Sequence, residues 1–407
     1  MNVEIVSVPV LRTYNKRFIR SGQILKLMKV RVEKIYCRDL HPCTKNNKPI
    51  TMPPYSTTTV LDTKQTFECT ESMKNVIHSV DNKYSGKHKF LIWEFETTLI
   101  WTNIIAITLL HLLTLYAFLI YPYFEKPGLI IYGTILGWMG GFGVTAGAHR
   151  YFTHKSYKAK LPLKLMLLFC YTLAGQNSLK DWVRDHRVHH KFSETDADPH
   201  NSRRGFFFAH VGWLMMKKHP EVIRKGRQVD CSDLFEDPVF AFHQSFSYKK
   251  ITHFLWLKLL FCFVLPTIIP PLTWGESWTF TFLAITVTRY TLNLNCTWLV
   301  NSAAHLWGNK PYDKGIYPVE NLMVSFCAMG EGYHNYHHTF PWDYRTGELS
   351  GFLNMTSCLL GIFKRIGWAY DMKTASADLV KKVIENKGDG SHYKWGQEVS
   401  EENDNKT

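Results

Sequence analysis

Apolar residues along this chain come in long blocks separated by strongly polar stretches, not at the spacing of an amphipathic soluble fold. Two blocks, about 98–121 and 129–148, are each long enough to cross ~30 Å of hydrocarbon as a helix. Between them Glu125-Lys126-Pro127-Gly128 breaks the run. Two more, about 251–270 and 278–300, flank Pro270-Pro271-Leu272-Thr273-Trp274-Gly275-Glu276. The pattern predicts an all-α membrane protein with four transmembrane helices in two hairpins. A shorter apolar stretch at 161–173, only ~13 residues, falls below a full span and reads as an interfacial or buried helix.

The polar blocks set orientation. Both hairpin turns carry almost no Lys or Arg, whereas the N-terminal region, the stretch 155–250 and the C-terminal region are rich in them. By the positive-inside rule those three regions, and both termini, lie in the cytosol. Residues 1–92 are polar and basic without a sustained period and are expected to be largely disordered. Within them the stretch 11–38 mixes apolar and basic residues, as either a surface-lying helix or a solvated segment would. The catalytic domain is expected over 93–385. Residues 386–407 form a polar tail that is expected to fray.

Composition narrows the class. A chain of 407 residues with 14% aromatic content has ample material for a core. A formal charge of +14 suits nucleic acid, an anionic membrane face or a phosphorylated ligand, and the long apolar runs weigh against nucleic acid. Nine scattered cysteines with no Cys-x-x-Cys pair indicate neither a disulfide framework nor a zinc knuckle. The first 30 residues lack a continuous apolar core, so a cleaved secretory signal is not expected.

Nineteen histidines would be unexceptional if scattered, but nine are grouped: His149 and His154; His186, His189 and His190; His305; His334, His337 and His338. Each triplet has i, i+3, i+4 spacing, which puts all three imidazoles on one face of a helix. His149 and His154 begin where the second span ends, and His305 follows the fourth. All nine can therefore converge on one cytosolic face. The other histidines, among them His243 and His392, read as structural or solvated, with His200 a candidate for supporting a ligand.

Nine imidazoles exceed what one ion takes and suffice for two, so a di-metal site in a helical cytosolic cap follows. Imidazole suits Zn, Cu, Fe and Ni alike. Zinc cannot cycle electrons, and a site at the mouth of a membrane pocket has a task in activating oxygen against a methylene, which favours iron.

The wording around these histidines resembles the membrane acyl-CoA desaturases of the stearoyl-CoA and insect type. The resemblance runs from about Trp93 to Tyr393. It is carried by the His149 box, Asp181-Trp182-Val183-Arg184-Asp185-His186-Arg187-Val188-His189-His190-Lys191-Phe192, Asp196-Ala197-Asp198-Pro199-His200-Asn201, Arg203-Arg204-Gly205-Phe206-Phe207-Phe208, Asn301-Ser302-Ala303-Ala304-His305, and Gly330-Glu331-Gly332-Tyr333-His334-Asn335-Tyr336-His337-His338. The resemblance implies two iron ions held by the nine histidines, with Asn301 reaching one iron through water. It also implies oxygen-dependent desaturation of a saturated acyl-CoA, usually between carbons 9 and 10, in the endoplasmic reticulum membrane. Electrons would come from cytochrome b5 and its NADH-dependent reductase. Ring nitrogens facing away from the metals need acceptors, and Asp185, Asp198 and Glu331 lie close to ligands.

By the same resemblance Arg184, Lys217 and Lys218 would meet the coenzyme A head, with Asn103, Asp185 and Trp298 as further contacts; a solvated basic face is the plainer reading of the two lysines. Gly137 and Gly141 fall where the family stops the methyl end of the chain, and they also form a small-xxx-small pair that lets membrane helices pack closely. A membrane di-iron hydroxylase, or an alkane monooxygenase, is the nearest alternative activity. The non-enzymatic alternatives are a metal transporter or an inactive scaffold. Transporters place ligands near the bilayer midplane, and an inactive homologue would usually have lost a ligand.

Overall fold

The computed structural model describes residues 88–90, 93–95, 97–248, 251–349 and 351–396. All belong to the larger of the two units into which the chain divides, residues 69–407. The N-terminal extension expected over 1–92 lies almost wholly outside the described residues.

Helices dominate, as the blocks predict. Among the described residues three are long and apolar enough to cross a membrane: α1 (Trp101–Ile120), α2 (Pro127–Thr153) and α5 (His253–Trp274). Their outer faces are inverted relative to a soluble protein. On α1, Ile105, Leu109, Leu112 and Leu119 are all more than half exposed, a surface that requires an apolar solvent. The prolines expected to end α5 lie inside it, and Gly275, at φ 72°, closes the helix instead.

The fourth expected span is a continuous helix, α6 (278–301), but it does not match the apolarity of the other three. Several of its polar side chains are turned inward and paired there. Buried Arg289 donates to the carbonyls of Ile285 (2.9 Å), Cys262 (2.7 Å) and Leu173 (3.3 Å). Thr114 of α1 donates to Thr291 at 2.8 Å, and Asn295 lies 3.1 Å from His111. Such groups are tolerated in apolar surroundings because they pair with protein and avoid lipid.

The short apolar stretch forms α3 (Leu161–Ala174), packed against α2. The approach is close: a Cβ on Gly143 would stand 2.1 Å from the Tyr171 backbone nitrogen, and one on Gly140 would stand 3.2 Å from the Ala174 Cα. Outside the apolar helices come α4 (Leu179–Phe192), α7 (Leu322–Cys327), α8 (His334–Thr339), α9 (Met355–Arg365) and α10 (Ala377–Lys387). Short antiparallel ladders are the strand content of the described residues; one pairs Lys158–Ala159 with Ala369–Tyr370. Residues 388–396, part of the segment expected to fray, are held in place: His392 is buried, lies 2.7 Å from Glu348 and stacks on Trp395.

Candidate functional site

The nine grouped histidines come together from four places in the chain. Ser178 caps α4, accepting from the Asp181 amide, and the i, i+3, i+4 spacing then puts His186, His189 and His190 together. The i, i+5 pair is brought together differently. On an α-helix, residues five apart splay by ~140°. From Gly143 to Thr153, however, α2 widens into i→i+5 turns, with the His154 amide donating to the His149 carbonyl at 3.1 Å. The wider turn places the two rings 4.9 Å apart, the kind of local distortion that recurs at functional sites. His305 sits on the single turn Ala303–Leu306, and α8 carries the last triplet. The loop before α8 is drawn in tightly: Gly330 has φ 112°, and a Cβ on Gly332 would meet the Asn321 carbonyl oxygen at 2.2 Å.

The ligand atoms form two groups, His149, His154, His186, His190 and His337 in one and His189, His305, His334 and His338 in the other, with all atoms of each group within 4.8 Å of one another. In the first, His149 Nε2 lies 2.9 Å from His337 Nε2, which lies 2.9 Å from His190 Nε2; His186 Nε2 is 3.1 Å from His190 and 3.2 Å from His154. In the second, His334 Nε2 is 3.0 Å from His305 Nε2 and 3.1 Å from His338 Nε2. Separations near 3 Å are the edges expected of nitrogens set ~2 Å from a common centre. Stacked rings of His190 and His338, 4.1 Å apart, form a wall between the groups.

Carboxylates hold three of the outward nitrogens. Glu331 lies 2.8 Å from His149 Nδ1, Asp198 2.9 Å from His189 Nδ1 and Glu194 2.7 Å from His305 Nδ1. Such contacts fix tautomer and ring direction and point Nε2 inward. Burial drives the imidazoles of His186, His190, His334, His337 and His338 well below their usual range, so they are neutral, the form that binds a metal. Burial opposes ionisation of Glu331, but the charges of His149 and Arg150 outweigh it and bring the carboxyl down to about 2. Arg150 is itself buried and donates to Glu331 through Nε at 3.1 Å and a terminal nitrogen at 2.9 Å.

Asp198 and Glu331 thus stand where the sequence places them. Asp185 does not: it faces Arg184 at 3.0 Å and Lys218, and takes no histidine. Glu194 was not read from the sequence. It lies four residues after His190 but 111 from the histidine it holds, a pairing that spacing cannot reveal. His200 joins through Asp198, 3.5 Å away, with its ring 4.4 Å from His189.

A cavity of about 410 Å³ leads away from the histidines between the helices. His149, His186, His334 and Asn301 line one end, Gly137 and Gly141 its length, and Tyr121 and Leu129 the other end. The glycines of α2 therefore serve two faces: Gly140 and Gly143 meet α3, while Gly137 and Gly141 face the cavity. Beyond the histidines, the Asn103 side chain donates to the Leu214 carbonyl at 2.8 Å and the Lys217 amide to the Thr98 carbonyl at 2.9 Å. The start of α1 is thereby fastened beside the Arg184, Asp185 and Lys218 ion cluster. Trp298 is buried, stacked on His111 with centroids 6.2 Å apart.

The donor set fits a pair of first-row transition metals: imidazoles in two groups, with carboxylates behind three of them. The fatty acid desaturase family pattern matches residues 126–347. The chain is 49% identical over 303 residues to an acyl-CoA Delta-9 desaturase of Acheta domesticus, covering 74% of this chain and 82% of that one. It is also 49% identical over 299 residues to an acyl-CoA Delta(11) desaturase of Trichoplusia ni (73% and 83%), and 48% identical over 297 residues to a stearoyl-CoA desaturase of Sus scrofa (73% and 80%). With its histidine groups, its membrane-length helices and this likeness over most of its length, the chain belongs to the fatty acid desaturase family, alongside the acyl-CoA desaturases.

Proposed function

We propose that this protein desaturates a saturated fatty acyl-CoA, placing the double bond between carbons 9 and 10, in the endoplasmic reticulum membrane. The observation that carries the reading is the cavity that opens on both histidine groups and runs back between apolar helices. Its walls exclude water and hold a methylene chain extended, so that two adjacent methylenes lie at the histidine end. All nine histidines would hold two irons, with Asn301, at the cavity wall, as a further contact through water. When bound, the irons supply the oxygen-activating redox chemistry, with electrons from cytochrome b5 and its reductase. The chain's own groups do the rest. Glu331, Asp198 and Glu194 keep His149, His189 and His305 oriented, and burial keeps the imidazoles of His186, His190, His334, His337 and His338 unprotonated.

The remaining assignments follow the same reading. Helix α6 is the fourth span, its polar residues shielded by α1, α2 and α5, and both termini are cytosolic. The coenzyme A head binds at Arg184, Lys217 and Lys218, with Asn103, Asp185 and Trp298 behind them. Lys218 and Arg184 already converge on Asp185, so an anionic head would be met by cations held in place. Gly137 and Gly141 leave room for the chain.

The test is expression in yeast lacking its own desaturase, with double bonds located by derivatisation and mass spectrometry. Growth without added unsaturated fatty acid, and a product unsaturated at carbon 9, is the expected result. Relatives named Delta-9 and Delta(11) are equally similar, at 49% identity, so a product unsaturated at carbon 11 would correct the position and keep the chemistry. Hydroxylated product, or none from a metal-loaded protein, would remove the reading.

A further inference from the structure

The run Arg203-Arg204-Gly205-Phe206-Phe207-Phe208 takes no part in the chemistry above, yet the segment that carries it, residues 202–210, grips the turn bearing His305 from three sides. Glu194 sets one carboxylate oxygen 2.7 Å from His305 Nδ1, and its other oxygen accepts from the amides of Ser202 and Arg203 at 2.8 and 3.2 Å. Gly205, at φ 91°, then turns the chain into the short helix Phe206–His210. Phe206 and His210, four residues apart, share one face of that helix and stack on each other, with centroids 5.0 Å apart. Phe206 also stacks on Trp307, just past the His305 turn, at 5.1 Å, and His210 Nδ1 lies 2.9 Å from the hydroxyl of Ser302, just before it.

The bond between His210 and Ser302 has a definite direction. The Ile107 carbonyl on α1, 2.8 Å from His111 Nδ1, can only accept, so Nδ1 carries the proton and His111 Nε2 accepts from the Asn295 amide nitrogen at 3.1 Å. The same nitrogen donates to the Thr291 carbonyl at 2.8 Å. Asn295 therefore turns its oxygen to His210 Nε2, 3.1 Å away, and that nitrogen donates. Burial lowers the pKa of His210 and keeps the ring neutral at neutral pH, which leaves Nδ1 to accept from Ser302. The single hydroxyl proton of Ser302 has one other acceptor in reach, the Trp298 carbonyl four residues back on α6, at 2.9 Å. That is the bond a hydroxyl makes inside a helix; His210 draws the hydroxyl away from it where α6 ends. The His305 amide donates to the Ser302 carbonyl at 3.1 Å, so the setting of Ser302 is passed on to the histidine.

We propose that His210 is a positioning residue for the metal centre: through Ser302 it fixes where α6 stops and the His305 turn begins, while Phe206 closes the far end of that turn on Trp307. The proposal rests on the reading of the nine histidines as two metal sites and deepens it, because it assigns residues 202–210 to the group of His189, His305, His334 and His338 alone.

The experiment titrates purified, metal-free protein in detergent with cobalt(II), following the visible absorption of the bound ion and its affinity by chelator competition. Wild type is compared with His210→Asn, His210→Gln and Ser302→Ala, each checked for folding by the melting temperature of the metal-free protein. An asparagine oxygen stands where Nδ1 does and accepts from Ser302, whereas a glutamine amide nitrogen stands where Nε2 does and reaches only Asn295. His210→Gln and Ser302→Ala therefore weaken one of the two cobalt sites roughly tenfold, the low end for a residue behind a ligand, and change its spectrum. Combining them adds little, since both cut one contact. His210→Asn restores affinity and spectrum. Should a His210 variant not accumulate, Ser302→Ala, which removes a single oxygen, decides. Like behaviour of the asparagine and glutamine variants, equal weakening of both sites, or wild-type affinity in Ser302→Ala overturns the proposal. If yeast carrying the wild type makes no unsaturated product while the cobalt sites respond in this order, the desaturase reading fails and the positioning role stands.

Discussion

His305 is held from both sides: its Nε2 sits 3.0 Å from that of His334, and its Nδ1 sits 2.7 Å from Glu194. Glu194→Gln keeps the shape and removes the charge, and it should weaken metal affinity by roughly 10- to 100-fold. Chelator competition with metal analysis measures this, and wild-type affinity in a folded variant would contradict the assignment. Alanine at His189 or His337 should abolish desaturation, whereas alanine at His243, which is bonded to Thr172 at 3.0 Å and to Gln244 at 2.8 Å, should leave the metal content intact. Glu320 gives a pH signature. Burial, with the charge of Glu348 nearby, raises its carboxyl from 4.5 to about 8 against the opposing bond from the Tyr336 amide. A raised acid contributes stability that is complete below 4.5 and lost as pH rises toward 8. Glu320→Gln should flatten that decline in thermal melts between pH 5 and 8; an unaltered slope would mean another group is responsible. At this scale the sequence was legible where partners were neighbours, as for Asp198, nine residues from His189; Glu331 suggested itself by its nearness to His334 but holds His149 instead. The sequence was not legible for Glu194, whose partner lies 111 residues away, or for Asp185, whose nearness to His186 in sequence suggested a contact that its cationic neighbours take instead.

Helix α2 shows how one element can serve two purposes. Its Gly143 lies against the α3 backbone, so Gly143→Ala forces the helices apart and should cost roughly 1–3 kcal/mol, read as a lower melting temperature in detergent. Gly141 faces Met329, whose flexible sulfur stands 2.7 Å from a built Cβ and can move aside. Gly141→Leu should therefore fold, keep its metal and shift product toward fourteen and sixteen carbons; an unchanged profile at normal activity would take Gly141 out of the cavity wall. The pattern of apolar blocks predicted the long helices within a few residues of where they run, because a span is specified by composition over many positions. It could not reveal the widened turns that unite His149 with His154, nor that α5 runs on through its prolines, since both depend on backbone bonds that hydropathy does not encode. The fourth block was readable as a helix, but Arg289 and Asn295 acquire their meaning from carbonyls and a histidine on other helices. Arg289→Ala would leave those carbonyls unpartnered, at roughly 1–3 kcal/mol for each buried group.

For the whole molecule, the residues proposed to meet the coenzyme A head, Lys217 and Lys218 among them, stand apart from the lining of the cavity. Replacing Lys217 and Lys218 with alanine should raise the acyl-CoA KM severalfold with a smaller change in kcat, because contacts remote from the reacting carbons act in ground and transition states alike. A collapse of kcat at constant KM would count against a head-group role. The triplet of α8 is braced from further along the chain. Asn335, between its histidines, accepts from the Tyr312 amide at 2.9 Å; the Tyr312 hydroxyl donates to Glu348 at 2.8 Å, and Glu348 also meets His392 at 2.7 Å. This brace bears on how the protein is made. Residues 149–338 are synthesised before His392 is joined to the chain. The last triplet therefore stays unbraced until synthesis has passed His392.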